Sequence, residues 1–153
     1  MSAQASIVGS HQFLHKLAPD YVERLAAMAE HKTFPAHHRL FEEGMTARKF
    51  WLIDAGQVAL DAMVPGDGRV TIEMLGRGDL LGLSWLQPPY TWKYGAITTQ
   101  PMQAFEFDAE AVRAACAKDP VLGYELLLRF MAVAAHRLQA TRARLLEARA
   151  TAA

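Results

Sequence analysis

The stretch Gly76-Arg77-Gly78-Asp79-Leu80-Leu81-Gly82-Leu83-Ser84-Trp85-Leu86 decides how this chain folds. Its glycines follow the pattern Gly76-x-Gly78-x-x-x-Gly82, which fits no dinucleotide fingerprint, because that motif has another spacing and opens a helix at once. No Lys-Ser or Lys-Thr follows, so it is no Walker loop either. By composition it reads as two tight turns around a short apolar strand, the punctuation of a β-roll.

Working outward, residues 32–108 alternate between apolar and polar and are broken at Pro35, Gly44, Gly56, Pro65-Gly66-Asp67-Gly68, Gly76-Arg77-Gly78-Asp79 and Pro101. Short, evenly spaced strands are predicted. Val70, Ile72 and Met74 alternate with Thr71, Glu73 and Leu75, as on a strand with one buried face. Residues 65–68 join that strand to residues 57–64 as a hairpin, with positive φ open to either glycine. An antiparallel roll of about eight strands is the expected closure, since it leaves few open edges.

Helical spacing brackets this region. Tyr21, Val22, Leu25, Met28 and Ala29 predict a short amphipathic helix over residues 19–31, with Pro19 and Asp20 in its first turn. Residues 1–10 are small and polar and are read as a frayed terminus, leaving one domain over residues 11–153. After residue 108, Asp108 caps a helix to Lys118, Asp119-Pro120 restarts it, and a long helix is predicted over about residues 120–149. Leu127, Phe130, Met131, Ala134, Leu138, Thr141 and Leu145 recur every three or four residues along it, a seam for a partner helix. The fold class is therefore mainly β with flanking helices: a jelly-roll-like antiparallel β-roll, a short N-terminal helix and a long C-terminal dimerisation helix.

Composition narrows the function. The 153 residues carry 16 basic and 16 acidic side chains, so the net charge of zero argues against wholesale attraction to nucleic acid. One cysteine, Cys116, excludes an internal disulfide and reads as a structural thiol in an alanine-rich helix. No leader and no apolar run near the roughly 20 residues of a membrane helix is present, so a cytoplasmic protein without membrane contact is expected.

The glycine-rich turn, the strands before it and the helical Arg137-Leu138-Gln139-Ala140-Thr141-Arg142 after it resemble the cyclic-nucleotide-binding fold of the cAMP receptor protein and fumarate-nitrate reduction regulator superfamily, over nearly the whole chain. The resemblance implies a phosphate cassette at residues 82–85, where the amides of a short helix meet the cyclic phosphate. Gly82, Leu83, Ser84, Trp85, Lys93 and Tyr94 are the ligand-binding candidates. Where the family has a ribose-binding glutamate this chain has Leu83, and Lys93 stands near the place of the phosphate-binding arginine. Losing the carboxylate removes charge-assisted hydrogen bonds of roughly 1.5–3 kcal/mol each, enough to weaken cAMP by about one to four orders of magnitude. Lysine keeps the charge of arginine but not its fork. Thr141 matches the hydroxyl residue that contacts the purine in the family, and Thr141 and Arg142 are the candidate base contacts.

Trp85, Pro88, Pro89, Tyr90, Trp92 and Tyr94 form an aromatic and proline-rich wall, which either stacks on a planar ligand or fills the pocket. His37, His38 and Glu42 faintly resemble a cupin metal motif, but adjacent strand residues face opposite ways. Arg137, Arg142, Arg144 and Arg149 read as solvated flanks of the helical seam, with no DNA-reading helix expected after them. The expected function is a stand-alone, non-enzymatic sensor or adaptor of cyclic-nucleotide-binding type. Its expected ligand is a cyclic nucleotide or other small anion, no metal or fixed cofactor is expected, and its partners are a second copy and a further protein, not sequence-specific DNA. Two alternatives stay open: a cupin-type metal enzyme, and a regulator that lacks its DNA reader and works through mixed dimers.

Overall fold

Of the two glycine turns in the deciding stretch, the one at residues 76–79 passes the chain from one sheet to the other and the one at Gly82 leads it out of the sheet into a 3₁₀ turn. The computed structural model describes residues 2–152. In chain order the elements are α1 (Ala3–Gly9), α2 (Pro19–Ala26), β1 (Ala29–Phe34), β2 (Arg39–Phe41), β3 (Lys49–Ala55), β4 (Gln57–Val64), β5 (Gly68–Gly76), β6 (Leu80–Leu81), β7 (Gly95–Thr98), β8 (Met102–Asp108), α3 (Ala109–Lys118) and α4 (Pro120–Ala152). Two four-stranded antiparallel sheets, ordered β1-β8-β3-β6 and β2-β7-β4-β5, face each other as the expected roll.

Local chemistry sets the turns. At residues 76–79, Gly78 takes φ +88°, the Asp79 carboxylate accepts from the Gly76 amide at 2.8 Å, and the Gly78 amide donates to the Ile53 carbonyl at 2.9 Å. This pins β5 and β6 to β3. The β4–β5 hairpin turns on two left-handed glycines, Gly66 at +87° and Gly68 at +74°, where any other residue would be strained.

Three expectations are corrected. Residues 3–9 are not frayed: the Ser2 hydroxyl caps α1 by accepting from the Ala5 amide at 3.0 Å, and Ala5 and Val8 are fully buried. The Gln4 amide group donates to the Ala26 carbonyl at 2.7 Å, an acceptor that the end of α2 leaves unpaired, and to the Ala29 carbonyl at the start of β1 at 2.8 Å. Next, α2 stops at Ala26 rather than reaching His31, because residues 29–34 find ladder partners on β8, from Ala29 opposite Phe107 to Phe34 opposite Met102. Finally, Val70 and Met74 on β5 are exposed while Leu75 is buried, the reverse of the predicted face. The register explains part of this: Leu60 pairs Glu73 and Asp61 pairs Thr71, so Ile72 is an extra, bulged residue.

The core runs between the sheets and under α4. Phe50 stacks between Trp85 and Phe107, at centroid distances of 4.4 and 4.8 Å, and Phe130 of α4 meets Trp85 edge-on at 5.1 Å. Leu122, Leu126 and Phe130 recur every four residues and are buried, so one face of α4 belongs to the core of its own chain. Phe130 is therefore not a seam residue, contrary to the sequence reading. The α3–α4 corner is close because Gly123 lies against Cys116, where an added Cβ would sit 3.1 Å from the Cys116 carbonyl oxygen.

Candidate functional site

β6 carries the chain along the sheet edge to Gly82, whose φ of +109° turns it across the mouth of the roll. A Cβ there would lie 3.0 Å from the Trp92 ring and 3.2 Å from Phe50 Cβ, so only glycine fits the turn as built. Beyond it, Leu83 opens a single 3₁₀ turn over Ser84–Leu86. Trp85 points the other way: its indole N–H donates to the Gly82 carbonyl at 3.0 Å and its ring is buried in the aromatic core. The sequence reading made Trp85 a ligand contact. The structure makes it the support behind the turn.

The segment after the turn is tied to α3. Arg113 donates to the Trp85 carbonyl at 2.8 Å, and its guanidinium lies 4.2 Å from the centre of the Tyr90 ring. Of the proposed aromatic wall, Tyr90 is thus engaged by Arg113, and Pro88 and Pro89 are exposed. Trp92 stacks flat on Phe41 at 3.7 Å and, with Tyr94, lines a cavity.

That cavity, 770 Å³ in volume, lies between the roll and α4. The aromatics therefore wall it without filling it. Gly82, Leu83, Ser84, Lys93 and Tyr94, all named from sequence, border it together with Thr141, Leu138 and Leu145 of α4. Arg142 does not: about 100° of helical turn separates it from Thr141, and it is exposed. Ile72 and Glu73, adjacent on β5, both reach the cavity, a placement regular alternation forbids and the bulge permits.

Sequence reasoning missed Arg137, Arg144 and Glu73. Arg137 precedes Thr141 by four residues and Arg144 follows it by three, so one helical face holds all three, a spacing legible in the sequence. The Arg137 guanidinium donates to the Leu80 carbonyl, and its Nε lies 4.0 Å from Glu73 Oε1. Burial pushes its pKa below the usual arginine value, against the opposing charges of Glu73 and Asp79. It remains a cation. The Thr141 hydroxyl donates to the Arg137 carbonyl at 2.8 Å and accepts from Arg144 at 3.2 Å.

The outer face of α4 carries Tyr124, Leu127, Met131, Leu138 and Leu145, each between 51 and 61% exposed. Tyr124, Met131, Leu138 and Leu145 fall seven residues apart, with Leu127, Ala134 and Thr141 three residues after the first three of them. Positions repeating every seven residues with a second set three residues on have the spacing of a coiled-coil face. Leu138, Thr141 and Leu145 belong both to this stripe and to the cavity wall.

The remaining candidates lie elsewhere. Glu42 is paired with Arg39 at 3.1 Å and Arg69 at 3.4 Å, and the His38 ring packs on Phe34 at 5.4 Å, so the cupin-like residues form no donor set. Among the described residues no cluster of three or more His, Cys, Asp or Glu side chains could hold a metal. Cys116 is half-buried, and burial raises its thiol pKa, leaving a poor nucleophile. No described helix is long and apolar enough to cross a membrane.

Comparison with known proteins agrees with this architecture. The CRP-like cAMP-activated global transcriptional regulator of Mycobacterium tuberculosis is 25% identical over 123 residues, 80% of this chain and 53% of the regulator. The chain thus spans about half the length of the curated relatives it matches. A cyclic nucleotide-binding domain from Methylobacillus flagellatus superposes with a TM-score of 0.80 at 21% identity, over 94% of this chain and 81% of that one. The catabolite activator protein of Thermus thermophilus gives 0.68 at 23% identity, over 87% of this chain and 61% of that one. The cyclic nucleotide-binding domain model matches residues 31–119, more than half of the sequence and all eight strands but the first two residues of β1. This chain belongs to the cyclic nucleotide-binding domain family.

Proposed function

We propose that this chain is a non-enzymatic sensor or adaptor module, dimerised through α4, whose cavity takes a small ligand but binds cAMP poorly. The observation that carries the reading is the double role of Leu138, Thr141 and Leu145, which line the cavity and belong to the exposed heptad stripe. A ligand held between roll and α4 then favours one arrangement of the α4 pair over another, and its effect is bounded by its differential affinity for the two. Among the described residues neither cysteine nor histidine lines the cavity, and no cluster of three or more His, Cys, Asp or Glu could hold a metal, so binding without chemistry is the reading adopted. With no basic patch beyond scattered arginines, sequence-specific DNA recognition is not part of this reading.

The weak binding of cAMP is argued at Leu83. Leu83 lines the cavity at the position where the family resemblance implies a ribose-binding carboxylate, and a hydroxyl buried there unpaired would cost roughly 1–3 kcal/mol. Calorimetric titration with cAMP tests this. Wild type is expected to bind no tighter than high micromolar, and Leu83→Glu about tenfold or more tightly than wild type. Nanomolar binding by the wild type would overturn the reading.

A further inference from the structure

We infer that the ligand is an amphipathic carboxylate, an apolar aromatic or acyl body with an acidic head, held in the cavity between roll and α4. This deepens the reading above and rests on it. The body is met by Leu60, Ile72, Leu83, Trp92 and Leu138, which offer nothing but carbon and one buried indole ring. Removing such surface from water is favourable in proportion to its area, and 770 Å³ is within the range of cavities that enclose small organic ligands.

The head is met by an excess of positive charge. Lys93, Arg137 and Arg144 border the cavity against one carboxylate, Glu73. Glu73 is turned toward Arg137. Lys93 contacts only the Thr91 hydroxyl, at 3.3 Å, and Arg144 only that of Thr141, so neither has an acidic partner among the described residues.

Ser84, Tyr94 and Glu73 also line the cavity, but at Leu83 and Thr141 a sugar would find little to read. The Thr141 hydroxyl proton is given to the Arg137 carbonyl, Leu83 has no polar atom, and no buried side-chain nitrogen or oxygen among the described residues lacks a partner. A ribose hydroxyl set against Leu83 would lose its hydrogen bonds to water without replacement, whereas an apolar body has none to lose.

The test is calorimetry and thermal shift with 1-naphthoate and decanoate, beside their uncharged counterparts 1-naphthalenemethanol and 1-decanol, and beside cyclic mono- and dinucleotides. At least one acid is expected to bind one site per chain and to raise Tm. The two arms separate an aromatic from an acyl body. The exposed double variant Lys93→Gln/Arg144→Gln, checked for folding by circular dichroism, is expected to weaken the acid about tenfold and leave its alcohol unchanged. Leu83→Glu should also weaken the acid, the opposite of its expected effect on cAMP. Equal binding of the acid by wild type and the double variant overturns the inference and leaves the sensor reading standing; tighter binding of a cyclic nucleotide than of either acid also overturns the inference, and touches the sensor reading only if cAMP itself binds at nanomolar concentration. Binding of no probe of any kind overturns the sensor reading together with the inference.

Discussion

Arg39 of β2 and Asp61 of β4 form a two-pronged ion pair across the intervening strand β7: Nη1 donates to Oδ1 at 3.0 Å and Nη2 to Oδ2 at 2.6 Å. The Asp61 side chain is 5% exposed, and the pair sits where Gly95 has no side chain, since a Cβ there would lie 2.6 Å from Nη1. Removing the carboxylate leaves a partly buried cation with only Glu42 at its rim. Asp61→Ala is expected to lower unfolding free energy by about 2–4 kcal/mol, with Arg39→Lys costing less because the charge survives without the fork. Urea denaturation followed by circular dichroism measures both. A loss under about 0.5 kcal/mol for Asp61→Ala would show the pair to be ornamental.

His11 makes stability depend on pH. Its Nδ1 accepts from the Phe13 amide at 3.2 Å, so Nε2 carries the proton and donates to the Ile53 carbonyl at 3.0 Å. Only the neutral ring serves both partners. Burial lowers its pKa from 6.5, and the Ile53 carbonyl and the charges of Asp54 and Asp79 oppose that shift without cancelling it. The unfolded chain therefore takes up the proton first. The contribution is fully present above 6.5 and is lost as pH falls through the folded-state value. Tm is expected to fall between about pH 7 and about pH 5, and to fall less steeply in His11→Asn, by scanning calorimetry. Parallel curves for the two proteins would remove His11 from the account.

Gly82→Ala puts a methyl group 3.0 Å from Trp92 at a φ of +109°. Strain of about 1–3 kcal/mol is expected, together with a shifted Trp92 ring and a changed near-ultraviolet spectrum. Wild-type stability and spectrum in the variant would mean that the turn relaxes without disturbing the cavity wall.

Met131→Asp tests the seam without touching the cavity, since Met131 lies on the heptad stripe and does not line it. Sedimentation is expected to give twice the chain mass for wild type at micromolar concentration and a shift toward monomer for the variant. A monomeric wild type would end the dimer reading.

The strands were legible because Gly, Pro and Asp stand where the chain reverses, and α3 because Asp108 is placed to accept from the Ala111 amide. Leu83 and Lys93, named through the family resemblance, both border the cavity. Long-range partners were not legible. Arg39–Asp61 joins residues 22 apart, and Gln4 reaches 22 and 25 residues along the chain. Nor could alternation reveal the bulge at Ile72, since an extra residue in a strand changes which neighbours face inward without changing their chemistry. Trp85 was misread for a related reason: a large aromatic beside a site looks the same whether it faces ligand or core, and its contacts with Phe50 and Phe130 lie 35 and 45 positions away.

α4 does not stop at the cavity. From Arg137, anchored on the Leu80 carbonyl, the helix runs without a break to Ala152, roughly 22 Å at 1.5 Å per residue. With Arg137 as its fulcrum, a tilt of about 5° would carry the far end about 2 Å, a little over a third of the spacing of adjacent turns. A ligand that merely reseats one guanidinium would therefore be felt at the distal end as a sideways displacement.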